Sequence, residues 1–102
     1  MKVIVIHKAF EEIPVAVAEV NVPAEISDNI EEALEYAYRW TNNIQGSWSR
    51  DDIEDNGDYN SNVTRLVPLK NGYGLRSTSA RDHMIVEGKV YEVDFFGFKE
   101  VA

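Results

Sequence analysis

The sequence predicts an α+β fold: a mainly antiparallel sheet of four to six strands with one principal amphipathic helix packed on one face. Three observations predict it. The chain opens with two extended apolar runs, a single stripe of helical period follows, and the last third returns to extended runs broken by turn residues. A length of 102 residues suits one domain with one core, so residues 1–102 are expected to fold as a unit.

Lys2 to His7 reads as the first strand. Val3, Ile4, Val5 and Ile6 are β-branched and consecutive, which suits a strand covered on both faces. Lys8 to Ile13 is a connection. Pro14 has no N–H to give to a ladder and belongs at a strand start. Val15 to Val22 is then a second strand, with Ala16, Ala18, Val20 and Val22 on one apolar face at period two. A hairpin joining the two is the economical topology.

Pro23 closes that strand, and Ser27 and Asp28 offer cap chemistry. Asp28 and Glu31 have the spacing of a capping box. The helix runs roughly from Asn29 to Thr41. Ile30, Ala33, Leu34, Ala37, Tyr38 and Thr41 make its buried stripe, while Glu31, Glu32, Glu35 and Arg39 face solvent. Glu35 and Arg39 stand four apart in the favourable order for an ion pair. Asn42 or Asn43 is placed to take the left-handed conformation that ends a helix.

Residues 46–62 form a polar, acidic stretch with the composition of a long loop, a length that is uncommon in a compact domain and is often functional or mobile. Beyond it, Val63 to Leu69 is a candidate strand and Asn71 to Gly74 a turn. Arg81 to Val86 and Lys89 to Phe96 flank Glu87-Gly88, the pattern of a tight hairpin. Tyr91, Val93 and Phe95 share a face without charge, expected to be the core side, and Gly97 is placed to make a bulge.

The composition excludes several chemistries. There is no cysteine, so no disulfide, thiolate nucleophile or thiolate metal site, which fits a reducing, cytoplasmic setting. The four-residue apolar run near the start is too short for a signal core or a membrane span, so the protein is expected to be neither exported nor membrane-inserted. A formal net charge of −8 repels nucleic-acid phosphates and anionic lipids, and serves either solubility or a basic partner. Asp52, Glu54, Asn56 and Gly57 fall into a partial EF-hand register. The twelfth position is Val63 where a bidentate Glu is needed, and the flanks do not read as helices, so no metal site is expected. No cofactor motif is present. Asn71-Gly72-Tyr73-Gly74-Leu75 lacks the second aromatic of an RNA-recognition strand. Ser77, Thr78 and Ser79 are nucleophiles only if a base stands beside them, and the sequence places none there. No catalytic residues are assigned.

Two groups of residues remain as binding candidates. Trp40, Asn42, Asn43 and Trp48, with Asp51, Asp52, Glu54 and Asp55, combine aromatic and acidic groups suited to a partner protein with a basic surface. The core reading is the stronger one for both Trp rings, more so for Trp40. Arg76, Ser77, Thr78 and Ser79 have the donors to bind an anion. The function classes left are a protein-binding accessory protein, a binding module for a small anionic or nucleotide signal, a small structural or assembly protein, and a small enzyme.

Residues Arg76 to Phe98 resemble the YodL-like domains of phages, plasmids and conjugative elements. The likeness rests on Ser77 and Ser79 in a Ser-rich lead-in, Asp82 before a hairpin, and Tyr91, Val93, Gly97 and Phe98 in a Tyr-x-Val-x-x-x-Gly-Phe ending. At Ala80 and Arg81 the usual pattern has a small or apolar residue followed by Gly or Ser. Upstream, Tyr38 to Asn43 followed by Trp48 is similar to the helix-end segment of small phage and plasmid proteins with the same tail. The resemblance implies a mobile-element origin and action on a host factor.

Overall fold

A computed structural model describes residues 1–26, 28–70 and 72–101. Ser27, expected beside Asp28 at the helix cap, and Asn71, the first residue of the expected 71–74 turn, lie outside the described residues. The remainder forms one antiparallel six-stranded sheet with a single helix packed on it, a small α+β fold. The strands are β1 (Lys2–His7), β2 (Val15–Asn21), β3 (Val63–Arg65), β4 (His83–Val86), β5 (Lys89–Asp94) and β6 (Gly97–Glu100). The helix, α1, spans Ile30–Trp40. The spatial order is β3-β2-β1-β4-β5-β6. The chain from β3 to β4 therefore crosses β2 and β1 on its way, and it brings Leu75 and Thr78 against the core.

The pleat sorts the core. Val3, Val5 and His7 of β1, Met84 and Val86 of β4, and Val93 of β5 point to the covered face and are buried. Ile4, Ile6 and Ile85 point to the other face and are only half-buried. The β-branched run of β1 thus marks a central strand covered on one face, not on both. An antiparallel sheet permits this because no crossover helix is forced onto its second face.

In β2 the period-two reading needs correcting. The register shifts between Val5 and Ile6: Val5 pairs with Ala18, but Ile6 pairs with Ala16. Val17 is the extra residue of a bulge, so Val17 and Ala18 are both buried while Ala16 is exposed.

The helix cap is Asn29, one residue later than the expected Asp28. Asn29, with extended backbone, accepts a hydrogen bond from Glu32 N at 3.1 Å through its side chain. Ala33, Leu34, Ala37 and Thr41 are buried as expected. Tyr38 instead stands on the border of the stripe and is exposed. No Asn ends the helix in the left-handed region; Thr41 caps it, with its hydroxyl donating to Ala37 O at 2.7 Å. Arg39 does not pair with Glu35 but with Asp58, at 3.3 Å.

The Glu87-Gly88 turn forms as expected, both residues at positive φ (53° and 73°), which is the turn that suits strand twist. The next strand stops earlier than its apolar composition indicates. Asp94 pairs with Gly97, which leaves Phe95 and Phe96 as the two residues of a second turn. Gly97, at φ 88°, takes the left-handed position that lets such a turn re-enter the ladder, and β6 follows. Phe95 is therefore 81% exposed and not a core residue, because the chain reverses before its side chain can join Tyr91 and Val93. Among the described residues, no helix is long and apolar enough to cross a membrane.

Candidate functional site

The reversal at Phe95-Phe96 creates the most unusual surface of the molecule. A two-residue turn is normally polar, because its side chains point into water. Here both positions are phenylalanine, and Phe96 is 98% exposed. Asp94 holds the turn by accepting a hydrogen bond from Phe95 N at 2.8 Å. Two concavities meet at this tip and share Tyr38, Asp94 and Phe95. One, of about 230 Å³, lies between α1 and the β5–β6 hairpin and is also lined by Glu35 and Phe98. The other, of about 590 Å³, extends over Phe10 and Arg81. Phe10 is 76% exposed. Tyr38 packs edge-on to Phe98, with ring centroids 6.2 Å apart, and this contact fixes the wall between helix and hairpin.

The acidic flank of this face comes from α1 and the hairpin. Glu35 and Asp94 line the smaller concavity. The Glu31 carboxylate lies 3.7 Å from where a Cβ on Gly97 would sit. None of the ion pairs among the described residues involves Glu31, Glu35 or Asp94. Arg81, at the opposite end, has φ 81°, a region that costs a non-glycine residue roughly 1–2 kcal/mol.

The residues singled out from sequence fall elsewhere. Trp48 is 2% exposed, and its Nε1 donates to Arg76 O at 2.9 Å. It packs in the hydrophobic core. Asn43 clamps its own chain: its N donates to Ser77 Oγ at 2.8 Å, its Nδ2 to Leu75 O at 3.0 Å, and its Oδ1 accepts from Trp48 N at 2.8 Å. Asn42 donates to Tyr38 O at 2.5 Å. Trp40 is half-buried under the Arg39 guanidinium, 4.1 Å from its ring centre. Asp51, Asp52, Glu54 and Asp55 are exposed, and Asp52 pairs with Arg50 at 2.8 Å.

The acid that organises the 46–62 stretch is Asp58, fully buried. Its Oδ2 accepts from three successive backbone N–H groups, those of Ile44, Gln45 and Gly46, at 2.7, 2.8 and 2.6 Å. Such a run of N–H groups is an anion nest, here filled from within. Burial pushes the Asp58 carboxyl up, but these N–H groups and Arg39 outweigh it and hold its pKa below the ordinary carboxylate value.

The anion-binding reading of Arg76 to Ser79 meets the same kind of internal satisfaction. Arg76 is bidentate to Asp82 (2.8 and 2.8 Å) and to Glu11 (3.0 and 2.9 Å), so its charge is already neutralised. Ser77 Oγ is taken by Asn43, and Ser79 N donates to Asp82 Oδ2 at 2.8 Å. Thr78 is 1% exposed, sandwiched between Thr41 Oγ1 at 2.8 Å and His7 Nε2 at 3.0 Å. An incoming anion would have to displace two carboxylates, and the structure does not favour it.

His7 is the base beside Thr78 that the sequence did not place. The geometry is not that of a nucleophile triad. The same Nε2 faces both Thr78 and Asp82, the latter at 4.0 Å, whereas a relay uses one ring nitrogen for each. Burial, then the nearby Arg76 charge, lowers the His7 pKa against the opposing pull of Asp82 and Glu11, so the ring is neutral at pH 7. Asp82 is fully buried and accepts from Lys8, Ala9 and Ser79 N as well as Arg76. Burial alone would raise its pKa; Arg76 and the three N–H groups overcome this and bring it down to about 2.

Compared with models of protein families, with curated proteins and with solved structures, the chain matches none.

Proposed function

We propose that this protein is a non-catalytic binding protein that docks a partner protein on the aromatic face of Phe10, Tyr38, Phe95 and Phe96. The observation that carries the reading is the Phe95-Phe96 tip. Two phenylalanines in a turn add nothing to the core and lower solubility, and exposed aromatic clusters mark interaction surfaces. Aromatic side chains on a rigid hairpin also make strong contacts at low entropic cost. The pairing of Arg76 with Asp82 and Glu11, and the filling of the 44–46 nest by Asp58, count against the alternative of a small-anion module, and the enclosed Thr78 counts against a hydrolase. If the resemblance of residues 76–98 to YodL-like domains reflects descent, the partner is a cytoplasmic protein of a bacterial host, and binding alters that protein's activity.

Site-specific photocrosslinking in bacterial cells tests this. A photoreactive phenylalanine analogue at position 96 is expected to give one stoichiometric protein adduct. The same analogue at position 16, exposed on the opposite face of the sheet, is expected to give none. Equal labelling from both positions, or adducts from neither, overturns the proposal. A nucleotide-induced rise in melting temperature with no protein adduct moves the assignment to the small-ligand class.

A further inference from the structure

We infer that the groove between α1 and the β5–β6 hairpin takes a lysine or arginine side chain of the partner, so that the docked segment is basic as well as apolar. The inference rests on the aromatic-face reading above and adds to it the chemistry of the occupant. The groove is built for a cation on an apolar stem. Tyr38, Phe95 and Phe98 supply aromatic walls, and Glu35 and Asp94 line the same concavity. A guanidinium or ammonium gains from both kinds of neighbour: it is attracted to ring faces and pairs with carboxylates, while its methylenes cover aromatic carbon.

Charge complementarity selects this occupant over a neutral one. Glu31, Glu35 and Asp94 have no ion-pair partner among the described residues, although other carboxylates of the molecule are matched within it: Asp58 with Arg39, Asp52 with Arg50, Glu11 and Asp82 with Arg76, and Glu92 with His83 and Lys99. Other carboxylates, among them Glu12, Asp51, Glu54 and Asp55, are also without an ion pair among the described residues, but of the acids lacking one it is Glu35 and Asp94 that share a concavity with the aromatic walls of Tyr38, Phe95 and Phe98. Asp94 also accepts from Phe95 N, so its position is fixed by the turn that presents the phenylalanines. Arg81 stands at the far end, beside Phe10, and leaves the cation-accepting end to the helix side. A second copy of this chain, with net charge −8, is a poor occupant on the same ground.

The test is a selection of displayed random dodecapeptides on the immobilised full-length protein, repeated on two variants whose urea midpoints match wild type. Phe95→Ser/Phe96→Ser removes the aromatic face. Glu35→Gln/Asp94→Asn removes charge but keeps shape and the acceptor for Phe95 N. Wild type is expected to enrich peptides with Arg or Lys beside an aromatic or aliphatic residue. The charge variant should bind such a peptide about tenfold more weakly, and replacing its arginine with citrulline should weaken wild-type binding alike. Peptides that depend on Phe95 and Phe96 but carry no basic enrichment, or that bind the charge variant equally well, overturn the inference and leave the aromatic face standing. Peptides indifferent to the loss of both phenylalanines, or no enrichment at all, overturn both. Dimerisation that is lost in the phenylalanine variant assigns the face to a second copy and also refutes the inference.

Discussion

Replacing Asp82 by Asn should be among the most damaging conservative changes in this chain. The carboxylate satisfies Lys8 N, Ala9 N and Ser79 N and is bidentate to Arg76, all from a fully buried site. An amide keeps one acceptor oxygen, enough for Lys8 and Ala9. Its NH₂ group then opposes the Ser79 N–H and an Arg76 N–H, donor against donor. One buried N–H left unsatisfied costs about 1–3 kcal/mol, and removing one partner of a buried ion pair costs about 3–5 kcal/mol. Arg76 keeps Glu11 and its side chain is 27% exposed, so the sum belongs at the low end, about 3 kcal/mol. That is a large part of the roughly 5–15 kcal/mol that holds a small domain together. The sign of the pH dependence gives a second handle. Asp82 has its pKa lowered from 3.8 to about 2, so it contributes stability above pH 3.8 that is lost as pH falls toward 2. The shift is worth about 2 kcal/mol on the usual conversion. Urea denaturation across pH 2–7 measures both quantities. Wild type should lose about 2 kcal/mol more than Asp82→Asn between pH 4 and 2. A cost below about 1 kcal/mol at pH 7, with parallel pH profiles, would refute the view that Asp82 ties the 76–82 segment to Lys8 and Ala9, just past β1.

Other perturbations separate supporting residues from surface ones. Asp58→Ala should cost about 3 kcal/mol because it orphans three N–H groups and Arg39; converting Asp51, Asp52, Glu54 and Asp55 to their amides should cost less than about 0.5 kcal/mol each, and comparable denaturation midpoints for the two would contradict the nest assignment. Arg81→Gly should stabilise by about 0.5–1 kcal/mol, the left-handed strain relieved less the entropy of glycine; destabilisation would show that the Arg81 side chain contributes to folding. The lowered pKa of buried His7 means that its contribution is intact above pH 6.5 and lost as pH falls below it, so His7→Gln should flatten the wild-type stability profile between pH 5 and 7, and an unchanged profile would place His7 in solvent contact.

The fold was legible where period and turn chemistry agreed. Lys2–His7 and the Glu87-Gly88 hairpin are set by β-branched runs and by a dipeptide that tolerates positive φ. The helix stripe was legible except at its border, where Tyr38 is as consistent with helical period as Ala37 but faces the hairpin groove. What period could not reveal was where a strand stops. Val-Asp-Phe-Phe-Gly continues an apolar strand by composition, and only the Asp and Gly that bracket the phenylalanines signal a turn. Carrying the strand to Phe96 sets its end two residues too late and puts Phe95 on the core side with Tyr91 and Val93. Four of the site residues proposed from sequence are taken up inside the fold for a different reason. Trp48, Asn43, Arg76 and Thr78 have the composition of a binding site, but their partners come from 5 to 71 residues away in the chain and satisfy them internally. Local sequence has no means of showing that a donor is already taken.

The central claim is that Phe95 and Phe96 serve association and not folding. It is tested most directly by calorimetric titration of the partner identified through position 96 into wild type and Phe95→Ser/Phe96→Ser. The account predicts at least a thirtyfold loss of affinity, the roughly 2 kcal/mol that defines a hot spot, with a urea midpoint shifted by no more than about 0.5 kcal/mol. Unchanged affinity, or an affinity loss that only mirrors a loss of folding stability, would contradict it.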